Sequence, residues 1–322
     1  MRSLVCVLLA ACSASTSQLA PDSASAAADP AIPDVRCAGA PAVPATDLRH
    51  SSSELVVDMG EPRHRGIDLI AAESDRTQVL SGALAYSDLD KALEDEDVRV
   101  FACDGGQWTD LGTTRTDGDG RFAMTLTGDA RLGVGLRDLF AAAPDGTGVW
   151  FLALVAPDGS RLVVSDIDGT LTSSENAFPV STVLATSVGA QPGAAERLAA
   201  AASEGITPIY VTARGDLYTG STRQWLADHG FPRAPLHLAQ PAVTLPGSQT
   251  VAFKRTVVAP LVQRFDIAAA IGNRASDITA YRSAGIAADR IFIKLPEFSE
   301  ELAAPLASHA ATGFTDYSSL RW

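Results

Sequence analysis

Two aspartates one residue apart carry the strongest chemical signal in this sequence. Asp166 and Asp168 lie in the segment RLVVSDIDGTLT, after an apolar run and before Gly169. Such a run indicates a buried strand, and open α/β sheets bind ligands at the carboxyl ends of their strands. Residues i and i+2 of an extended chain point the same way, so we expect both carboxylates to face one site. This pattern suits phosphoryl transfer through an aspartyl phosphate.

The same pair predicts a metal ion. Two carboxylates so close repel each other unless a cation lies between them, and Mg²⁺ is the hard, oxygen-preferring ion that suits them. Gly169 lets the backbone turn sharply and approach a phosphate closely. Thr170 follows directly and is a further candidate for contacting that phosphate.

A second segment with similar letters serves as an internal control. Asp117-Gly118-Asp119-Gly120 follows polar residues and precedes the alternating segment RFAMTLT, which predicts a hairpin turn between two strands. The twelfth position of a calcium-binding loop starting at Asp117 would be Gly128 rather than Glu, which argues against an EF-hand.

Further polar side chains follow in an order that strengthens the chemical interpretation. Two more apolar segments end in polar residues, and an amphipathic helix carries a lysine near its start. Each side chain also has a structural explanation, as a helix cap, a solvated lysine or a first-turn acid. The candidates are Thr212 and Arg214 after the segment from Ile206, Lys254 at the start of the helix, and Asn273 and Asp277 after the segment from Ile267.

This set resembles the four motifs of the haloacid dehalogenase superfamily, and within it the lipin-type phosphatidate phosphatases. The motifs are an Asp-x-Asp strand end, a Thr or Ser strand end, a Lys, and a loop ending in Asp. The resemblance covers the chain from about residue 160 onward and implies a Rossmann-like domain with a parallel sheet. It is carried by SDIDGTLT (165–172), TAR (212–214), HGFPRAPLHL (229–238), FK (253–254), GNRASDITAYRSAGI (272–286) and RIFIK (290–294).

The resemblance implies a role for each matching residue. Asp166 is the nucleophile, and Asp168 protonates the leaving group and then activates water. Thr212 and Lys254 bind phosphoryl oxygens, with Arg214 as a further phosphate contact. Mg²⁺ is held by Asp166, the backbone carbonyl of Asp168, and Asp277, with Asn273 assisting.

The spacing of the motifs predicts a site without a cap domain. The intervals from Thr170 to Thr212 and from Arg214 to Lys254 are each too short for a separate folded lid. An open site suits a phosphate presented on something large, such as a membrane surface or a phosphoprotein.

The amino terminus favours a membrane. Residues 1–11 predict a secretory signal, and Leu9-Ala10-Ala11-Cys12 resembles a lipoprotein box in which Cys12 is lipidated; plain secretion is the alternative. Residues 12–53 are rich in Ser, Ala and Pro and predict a flexible tether. Cys37 and Cys103 either form one disulfide in an oxidising compartment or remain thiols.

The middle of the chain has a different periodicity. Between residues 54 and 158, short alternating segments separated by Gly and Asp turns predict a small antiparallel β-sandwich. We expect Trp108, Phe122, Trp150 and Phe151 in its core, with an aromatic lipid-contacting edge as the lesser alternative. Residues 159–322 would then form the phosphatase domain.

Composition limits the partners. The 322 residues carry a formal charge of −13 and no basic stripe, which argues against nucleic acid and against simple attraction to anionic lipid. A covalent anchor would supply the membrane contact instead. We therefore expect an extracytoplasmic, lipid-anchored, Mg²⁺-dependent phosphatase of the bacterial cell envelope, acting on phosphatidate or a related lipid phosphate. The alternatives are a phosphatase of soluble phosphomonoesters and a non-catalytic phosphatidate-binding module.

Overall fold

The computed structural model describes residues 32–175, 188–240 and 247–322. Within them the chain forms a mostly antiparallel β-sandwich, in which two strand pairs run parallel, followed by an α/β domain built on a parallel sheet. The predicted fold class is thereby confirmed. A turn at residues 157–160 joins the last sandwich strand to the first strand of the parallel sheet.

Two main sheets build the sandwich. Its strands are β1 (Asp34–Val35), β2 (Arg65–Ile67), β3 (Leu69–Ala72), β4 (Thr77–Ala83), β5 (Ala85–Tyr86), β6 (Lys91–Ala92), β7 (Asp97–Asp104), β8 (Gln107–Arg115), β9 (Arg121–Thr127), β10 (Gly135–Ala142) and β11 (Gly148–Ala156). One sheet has the order β3-β11-β10-β7-β8, with β1 paired to β10, and the other has the order β2-β4-β9. The short strands β5 and β6 pair with each other. Strand β9 alternates between buried and exposed residues, as a strand with one face on a core must.

Only part of the predicted aromatic core is confirmed. Phe122 and Phe151 are buried between the two sheets. Trp108 and Trp150 instead meet Phe140 edge-to-face in a separate aromatic cluster, and Trp150 is 37% exposed. Because successive residues of a strand point to opposite faces, the adjacent Trp150 and Phe151 cannot both face the same core.

Residues 32–53, which the sequence assigned to the flexible tether, lie along the sandwich. Strand β1 pairs in parallel with β10, and a disulfide joins Cys37 to Cys103 of β7 with their Cα atoms 5.7 Å apart. Helix α1 (Ser51–Val57) follows. The Ser, Ala and Pro content of this segment gave no sign of these contacts, because backbone pairing and a disulfide need few apolar side chains.

The second domain is built on a six-stranded sheet whose strands all run parallel. Its order is β14-β13-β12-β15-β16-β17, so the first strand is central and the chain proceeds to one side and then to the other. Its strands are β12 (Arg161–Ser165), β13 (Thr207–Gly215), β14 (Leu236–Ala239), β15 (Asp266–Gly272), β16 (Ile291–Lys294) and β17 (Thr312–Phe314).

Helices cover both faces of this sheet, which explains why its central strands are apolar throughout. Two buried clusters result, one containing Val164 and Tyr281 and the other containing Val163 and Trp225. The helices are α2 (Ala194–Ser203), α3 (Thr219–Asp228), α4 (Ser248–Val262), α5 (Ala275–Ala284) and α6 (Ser299–Ala307).

The two domains share one apolar cluster. Leu152 and Leu154 of β11 pack in the same buried cluster as Leu162 of β12 and Ile209 of β13. Burial of apolar surface, at roughly 25 cal/mol per Å², stabilises such a junction. The sandwich therefore packs directly against the sheet that carries the candidate site.

The described parts of the two motif intervals contain no cap domain. Between Thr170 and Thr212 they hold helix α2, and between Arg214 and Lys254 they hold α3, β14 and the start of α4. Within the described ranges, every helix is too short or too polar to cross a bilayer.

Candidate active site

The candidate site lies where the strand order of the parallel sheet reverses. Strand β12 has β13 on one side and β15 on the other, and the chain leaves all three in the same direction. A crevice forms outside the carboxyl ends of strands at such a switch point, because the connections diverge to opposite sides. Asp166 follows β12 directly and therefore stands at this crevice.

Asp166 is held from both its backbone and its side chain. Its N–H donates to the carbonyl of Ile271 in β15 at 2.9 Å, which continues the sheet one residue beyond the strand. Its Oδ2 accepts from Thr170 Oγ1 at 3.1 Å. The residue is 4% exposed, so one carboxylate oxygen is oriented by Thr170 in a nearly dry environment.

Lys254 connects Asp166 to Asp277. Its Nζ lies 2.6 Å from Asp166 Oδ1 and 2.6 Å from Asp277 Oδ1, and all three side chains are buried. The structure thus excludes the explanation of Lys254 as a solvated lysine. The sequence had suggested that Lys254 lies at the start of its helix. Helix α4 begins at Ser248, however, so Lys254 lies in its second turn.

Burial and the close charges shift the pKa values of this group. Burial raises the pKa of Asp166 above its usual range, against the opposing attraction of the Lys254 ammonium. Burial alone would lower the pKa of Lys254, but Asp166 and Asp277 outweigh it, so that this pKa is raised well above its usual value. The ammonium is therefore retained between the two carboxyl groups at neutral pH.

Asp277 combines its contact to Lys254 with a structural role. Its Oδ2 accepts from the backbone N–H groups of Asn273 and Arg274, each at 3.0 Å, and this closes a capping box at the start of α5. The first-turn explanation is thus correct as far as it goes, since a carboxylate there satisfies otherwise unpaired N–H groups. The second oxygen, Oδ1, is the one that faces Lys254.

Asp168 faces a different set of partners. Arg214 donates to its carboxylate through Nη2 at 2.7 Å and through Nε at 2.9 and 3.0 Å, and Thr212 Oγ1 donates at 3.0 Å. The two carboxylates thus bind different partners, and the expectation of an extended chain through Asp166 and Asp168 is wrong. The chain is not extended here, because the N–H groups of residues 170–172 all turn back to the carbonyl of Ile167.

Gly169 and Thr170 shape that turn. Gly169 has φ +65°, and a Cβ added there would lie 2.0 Å from Asn273 Nδ2. The position therefore requires glycine both for its backbone conformation and for space. Thr170 is fully buried, with its hydroxyl on Asp166 and its carbonyl accepting from Tyr317. Its side chain thus orients the candidate nucleophile, which is a different role from the predicted phosphate contact.

Arg214 is likewise committed to protein partners. Besides Asp168, its Nη1 donates to Thr222 Oγ1 of helix α3 at 3.0 Å, and its side chain is 5% exposed. The expected phosphate-binding role does not fit a guanidinium that is buried and bidentate on a carboxylate. Its contacts are those of a side chain that orients Asp168.

Glu175 is a site residue that the sequence did not reveal. Its Oε2 accepts from Asn273 Nδ2 at 2.7 Å, and burial raises the pKa of its carboxyl to about 7. It follows Asp168 by seven positions, in a polar segment without periodicity. Only the turn after Gly169, which returns the chain toward Asn273, brings it to the site.

The donor atoms on the β15 side suit a hard cation. They are the carboxylates of Asp166 and Asp277 and the Oδ1 of Asn273, which is buried without a hydrogen-bond partner among the described residues. A buried acceptor without a donor is costly unless a cation or water satisfies it. All three donors are oxygen, as Mg²⁺ requires. The side chain of Asp168 faces Arg214, so only its backbone carbonyl remains for the metal role that the resemblance implied.

No group of three or more His, Cys, Asp or Glu side chains is arranged around a metal position in the described residues. The carboxylate of Asp168 is bound to Arg214 and that of Glu175 accepts from Asn273 Nδ2, whereas Asp166 and Asp277 share Lys254. Cys12, the predicted lipidation site, lies outside the described residues.

Two family models match the chain, one for each domain. The model described as "PITM 1-3, beta-sandwich domain" matches residues 62–152, and the model described as "PITM 1-3, LNS2 domain" matches residues 163–294. The second match spans Asp166, Thr212, Lys254 and Asp277.

Curated relatives match over both domains. The human membrane-associated phosphatidylinositol transfer protein 3 is 31% identical over 235 residues, which cover 71% of this chain and 23% of the relative. Protein retinal degeneration B of Drosophila melanogaster is 30% identical over 235 residues, which cover 71% of this chain and 18% of the relative. The chain thus spans less than a quarter of the length of these relatives.

Solved structures also match about half of the chain. D,D-heptose 1,7-bisphosphate phosphatase from B. bronchiseptica, complexed with magnesium and phosphate, is 18% identical with a TM-score of 0.38, over 49% of this chain and 94% of that one. A phosphoserine phosphatase carrying a phospho-aspartyl intermediate analogue is 13% identical with a TM-score of 0.31, over 49% and 93% of the two chains.

Proposed function

We propose that this protein is a Mg²⁺-dependent phosphatase that hydrolyses a phosphomonoester through an aspartyl phosphate on Asp166, with a lipid phosphate at a membrane surface as substrate. The observation that carries the proposal is the buried cluster of Asp166, Lys254 and Asp277 at the switch point of the sheet. Burying two carboxylates and an ammonium costs several kcal/mol per ion in desolvation, which a purely structural role seldom requires.

In the first half-reaction, Asp166 attacks phosphorus. A bond forms between its carboxylate oxygen and phosphorus, the bond from phosphorus to the substrate oxygen breaks, and Asp168 gives that oxygen a proton. Thr170 orients the nucleophile by donating to Asp166 Oδ2 at 3.1 Å. Lys254, whose charge is retained, offsets negative charge as the phosphoryl group approaches.

In the second half-reaction, Asp168 acts as a base. It takes a proton from water, whose oxygen attacks phosphorus as the bond to Asp166 breaks, so that alcohol and phosphate are the net products. In the structure, Arg214 and Thr212 both donate hydrogen bonds to Asp168. These contacts suit the ionised carboxylate that acts as the base in this step. Bound Mg²⁺, held by Asp166, Asp277 and Asn273, would supply charge neutralisation for the phosphoryl oxygens.

Two observations support a lipid substrate. The relatives that match both domains carry names for membrane-associated transfer of phosphatidylinositol. Both domains also carry exposed apolar side chains: Leu89 is 79% exposed in the sandwich, and Leu217 and Tyr218 are each 38% exposed just after β13. Such side chains suit contact with the acyl region at the surface of a phospholipid membrane.

An arginine brings the two apolar groups near each other. Arg65 pairs with Asp90 of the sandwich and lies 3.4 Å from Asp216 of the second domain. Leu89 precedes Asp90, and Leu217 follows Asp216. Each exposed leucine is thus the chain neighbour of an aspartate that Arg65 contacts. Leu217 also follows β13, the strand that contains Thr212.

A non-catalytic lipid-phosphate-binding module is the second candidate. Relatives whose names describe phosphatidylinositol transfer and not hydrolysis favour it. Some lipin-like domains have lost their catalytic aspartates, which is the precedent for such a module. This chain retains Asp166, Asp168 and Asp277, which argues against that loss here.

A phosphate-release assay separates these functions. Phosphatidate in mixed micelles should be hydrolysed much faster than glycerol phosphate, sugar phosphates or nucleotides, because the acyl region supplies remote binding energy. EDTA should abolish the rate and Mg²⁺ restore it. Equal or higher kcat/KM on a soluble monoester would replace the lipid assignment with a soluble one. Tight phosphatidate binding without phosphate release would favour the binding module.

A matched pair of variants tests the lipid surface. Leu89→Ser with Leu217→Ser should lower the rate on micellar phosphatidate and leave the rate on a soluble short-chain phosphatidate unchanged. Val79→Ser is the control, since Val79 is 45% exposed on β4. An equal loss on both substrates would remove these leucines from membrane contact.

We also propose an extracytoplasmic location with a lipid anchor on Cys12. The disulfide between Cys37 and Cys103 supports an oxidising compartment, since disulfides seldom persist in the cytosol. Cys12→Ser should release a membrane-fractionating protein into the soluble fraction, and mass spectrometry of the mature terminus should find a lipid on Cys12. An unmodified terminus would exclude the anchor.

A further inference from the structure

A buried carboxylate of the sandwich lies at the junction with the second domain. Asp68, between β2 and β3, accepts from the N–H of Leu152 in β11 at 2.7 Å and from the N–H of Leu236 in β14 at 2.8 Å. Arg223 of helix α3 completes its coordination through Nη2, at 2.9 and 3.0 Å. One side chain of the sandwich is thus bound to a strand and to a helix of the second domain.

This contact is rigid for physical reasons. The side chain of Asp68 is fully buried and that of Arg223 is 29% exposed. Charge-assisted hydrogen bonds in a dry setting are about twice as strong as neutral ones, and removing one partner leaves a buried charge uncompensated. Helix α3 therefore cannot shift along the junction without breaking the contacts to Asp68.

The same helix holds the residue that orients Asp168. Thr222 precedes Arg223 in α3 and is fully buried, and its Oγ1 accepts from Arg214 Nη1 at 3.0 Å. Arg214 then binds Asp168 through its other nitrogens. Three contacts, together with the peptide bond between Thr222 and Arg223, thus connect the sandwich carboxylate Asp68 to the carboxylate of Asp168.

We propose that the sandwich domain positions Asp168 through these contacts, from Asp68 to Arg223 and from Thr222 to Arg214. The inference rests on the proposed function, because it assigns the sandwich a part in the acid and base steps. Asp68, Arg223, Thr222 and Arg214 are positioning residues, since they act on the reaction only through Asp168. The sandwich is then part of the catalytic architecture and not only an attachment to the membrane.

The chain offers a matched control for this proposal. Arg233 also joins the two domains, by pairing with Asp138 of β10 and with Asp34 of β1. It lies between α3 and β14, and its side chain contacts Asp34, Asp138 and the carbonyl of Leu136 rather than the residues that lead to Asp168. Arg233→Gln should weaken the junction while leaving the contacts to Asp168 in place.

Steady-state and single-turnover kinetics test the proposal. Arg223→Gln and Thr222→Val should each lower kcat by about 10- to 100-fold, since small misplacements of a reacting group have effects of this size. KM should change less than about twofold, because uniform substrate binding is untouched. Phosphorylated Asp166 should accumulate, since the base step is slowed. Arg223→Lys should recover part of kcat, and Arg233→Gln should keep it within about twofold.

A spectroscopic arm separates failure of this inference from failure of the proposed function. The Nε–H resonance of Arg214 should move and exchange faster with water in Arg223→Gln and in Thr222→Val, but not in Arg233→Gln. That result would support the positioning contacts even if wild-type protein released no phosphate. An unchanged Arg214 resonance, or a lowered melting temperature with unchanged kcat, would overturn the inference.

Discussion

Two segments of this chain carry an Asp-x-Asp-Gly pattern, and they differ in what their carboxylates bind. In residues 117–120, Asp117 Oδ1 accepts from the backbone N–H groups of Asp119 and Arg121, each at 2.9 Å. In residues 166–169, Asp166 and Asp168 instead bind side chains from β13, α4 and the turn that follows. In the first segment the carboxylate of Asp117 closes a turn. In the second, the carboxylates bind side chains that include residues far away in the sequence.

The difference arises from the strands around each segment. Asp117 is exposed and connects β8 to β9, which belong to different sheets of the sandwich, so the turn is not the hairpin that the sequence predicted. Asp166 follows a strand that is paired on both sides, so neighbouring strands deliver partners to it. A carboxylate at the end of a central strand can contact side chains from the neighbouring strands, because several strand ends meet around it.

The largest effect should come from Asp166→Asn. This change removes the nucleophile and an oxygen donor without changing volume, so phosphate release should fall by at least about 1,000-fold. Stability should change little, because Lys254 keeps its 2.6 Å contact to Asp277. Phosphate release and thermal unfolding of the same preparations provide the measurement.

Asp117→Asn is the matched control, and it should leave the rate within twofold of wild type. A rate above about a hundredth of wild type in Asp166→Asn would end the covalent scheme. Loss of activity in Asp117→Asn would show that the two segments are not functionally separate.

Asp168→Asn should have the next largest effect. The rate should fall by about 100-fold or more, because leaving-group protonation and water activation are both lost. The amide can no longer receive all of the Arg214 and Thr212 donors. Acid-quenched mass spectrometry should detect phosphorylated Asp166, and Asp119→Asn should show none. Full turnover in Asp168→Asn would assign the proton transfers elsewhere.

The apolar strand ends could be predicted because their signal is local. The runs before Asp166, Thr212 and Asn273 are buried strands in the structure, as their composition indicates. The order of these strand ends also predicted that the polar residues after them lie at one edge of one sheet. The order of the motifs and the resemblance were enough to predict that Asp166, Lys254 and Asp277 lie together, and the structure places them in contact.

What could not be predicted depends on turns and on contacts between domains. Glu175 reaches Asn273 only through the left-handed turn at Gly169, and a single sequence does not display that geometry. The pairing of Arg214 with Asp168 depends on the register between β12 and β13. The contact of Asp68 with Arg223 joins residues 155 positions apart, which no local pattern encodes.

Replacing the last glycine of each segment sharpens the comparison. Gly169 and Gly120 both have positive φ, +65° and +70°, so alanine at either position should cost about 1–2 kcal/mol in backbone strain. A Cβ at Gly120 would lie 2.5 Å from the backbone oxygen of Leu84, which cannot easily move. A Cβ at Gly169 would instead meet a side chain first, lying 2.0 Å from Asn273 Nδ2 and 3.0 Å from the backbone N of Glu175. We expect Gly120→Ala to lower the free energy of unfolding more, and Gly169→Ala to lower kcat more.

Denaturant unfolding and kinetics of the two variants provide the measurement. Gly169→Ala displaces Asn273 from its 2.7 Å contact to Glu175, so kcat should fall by about tenfold in protein that is still folded. Gly120→Ala, once folded, should retain wild-type kcat. Equal losses of kcat would mean that both glycines act only through stability.

The smallest effect should come from the turn itself. Asp117→Ala removes an acceptor shared by two backbone N–H groups, which should lower the free energy of unfolding by about 1 kcal/mol, since water replaces part of the lost bonding at an exposed site. Asp119→Ala keeps both of those bonds and should stay within about 0.5 kcal/mol of wild type. Urea unfolding resolves this difference, and kcat should be unchanged in both. A stability loss in Asp119→Ala equal to that in Asp117→Ala would show that general charge, and not the hydrogen bonds of Asp117, supports this turn.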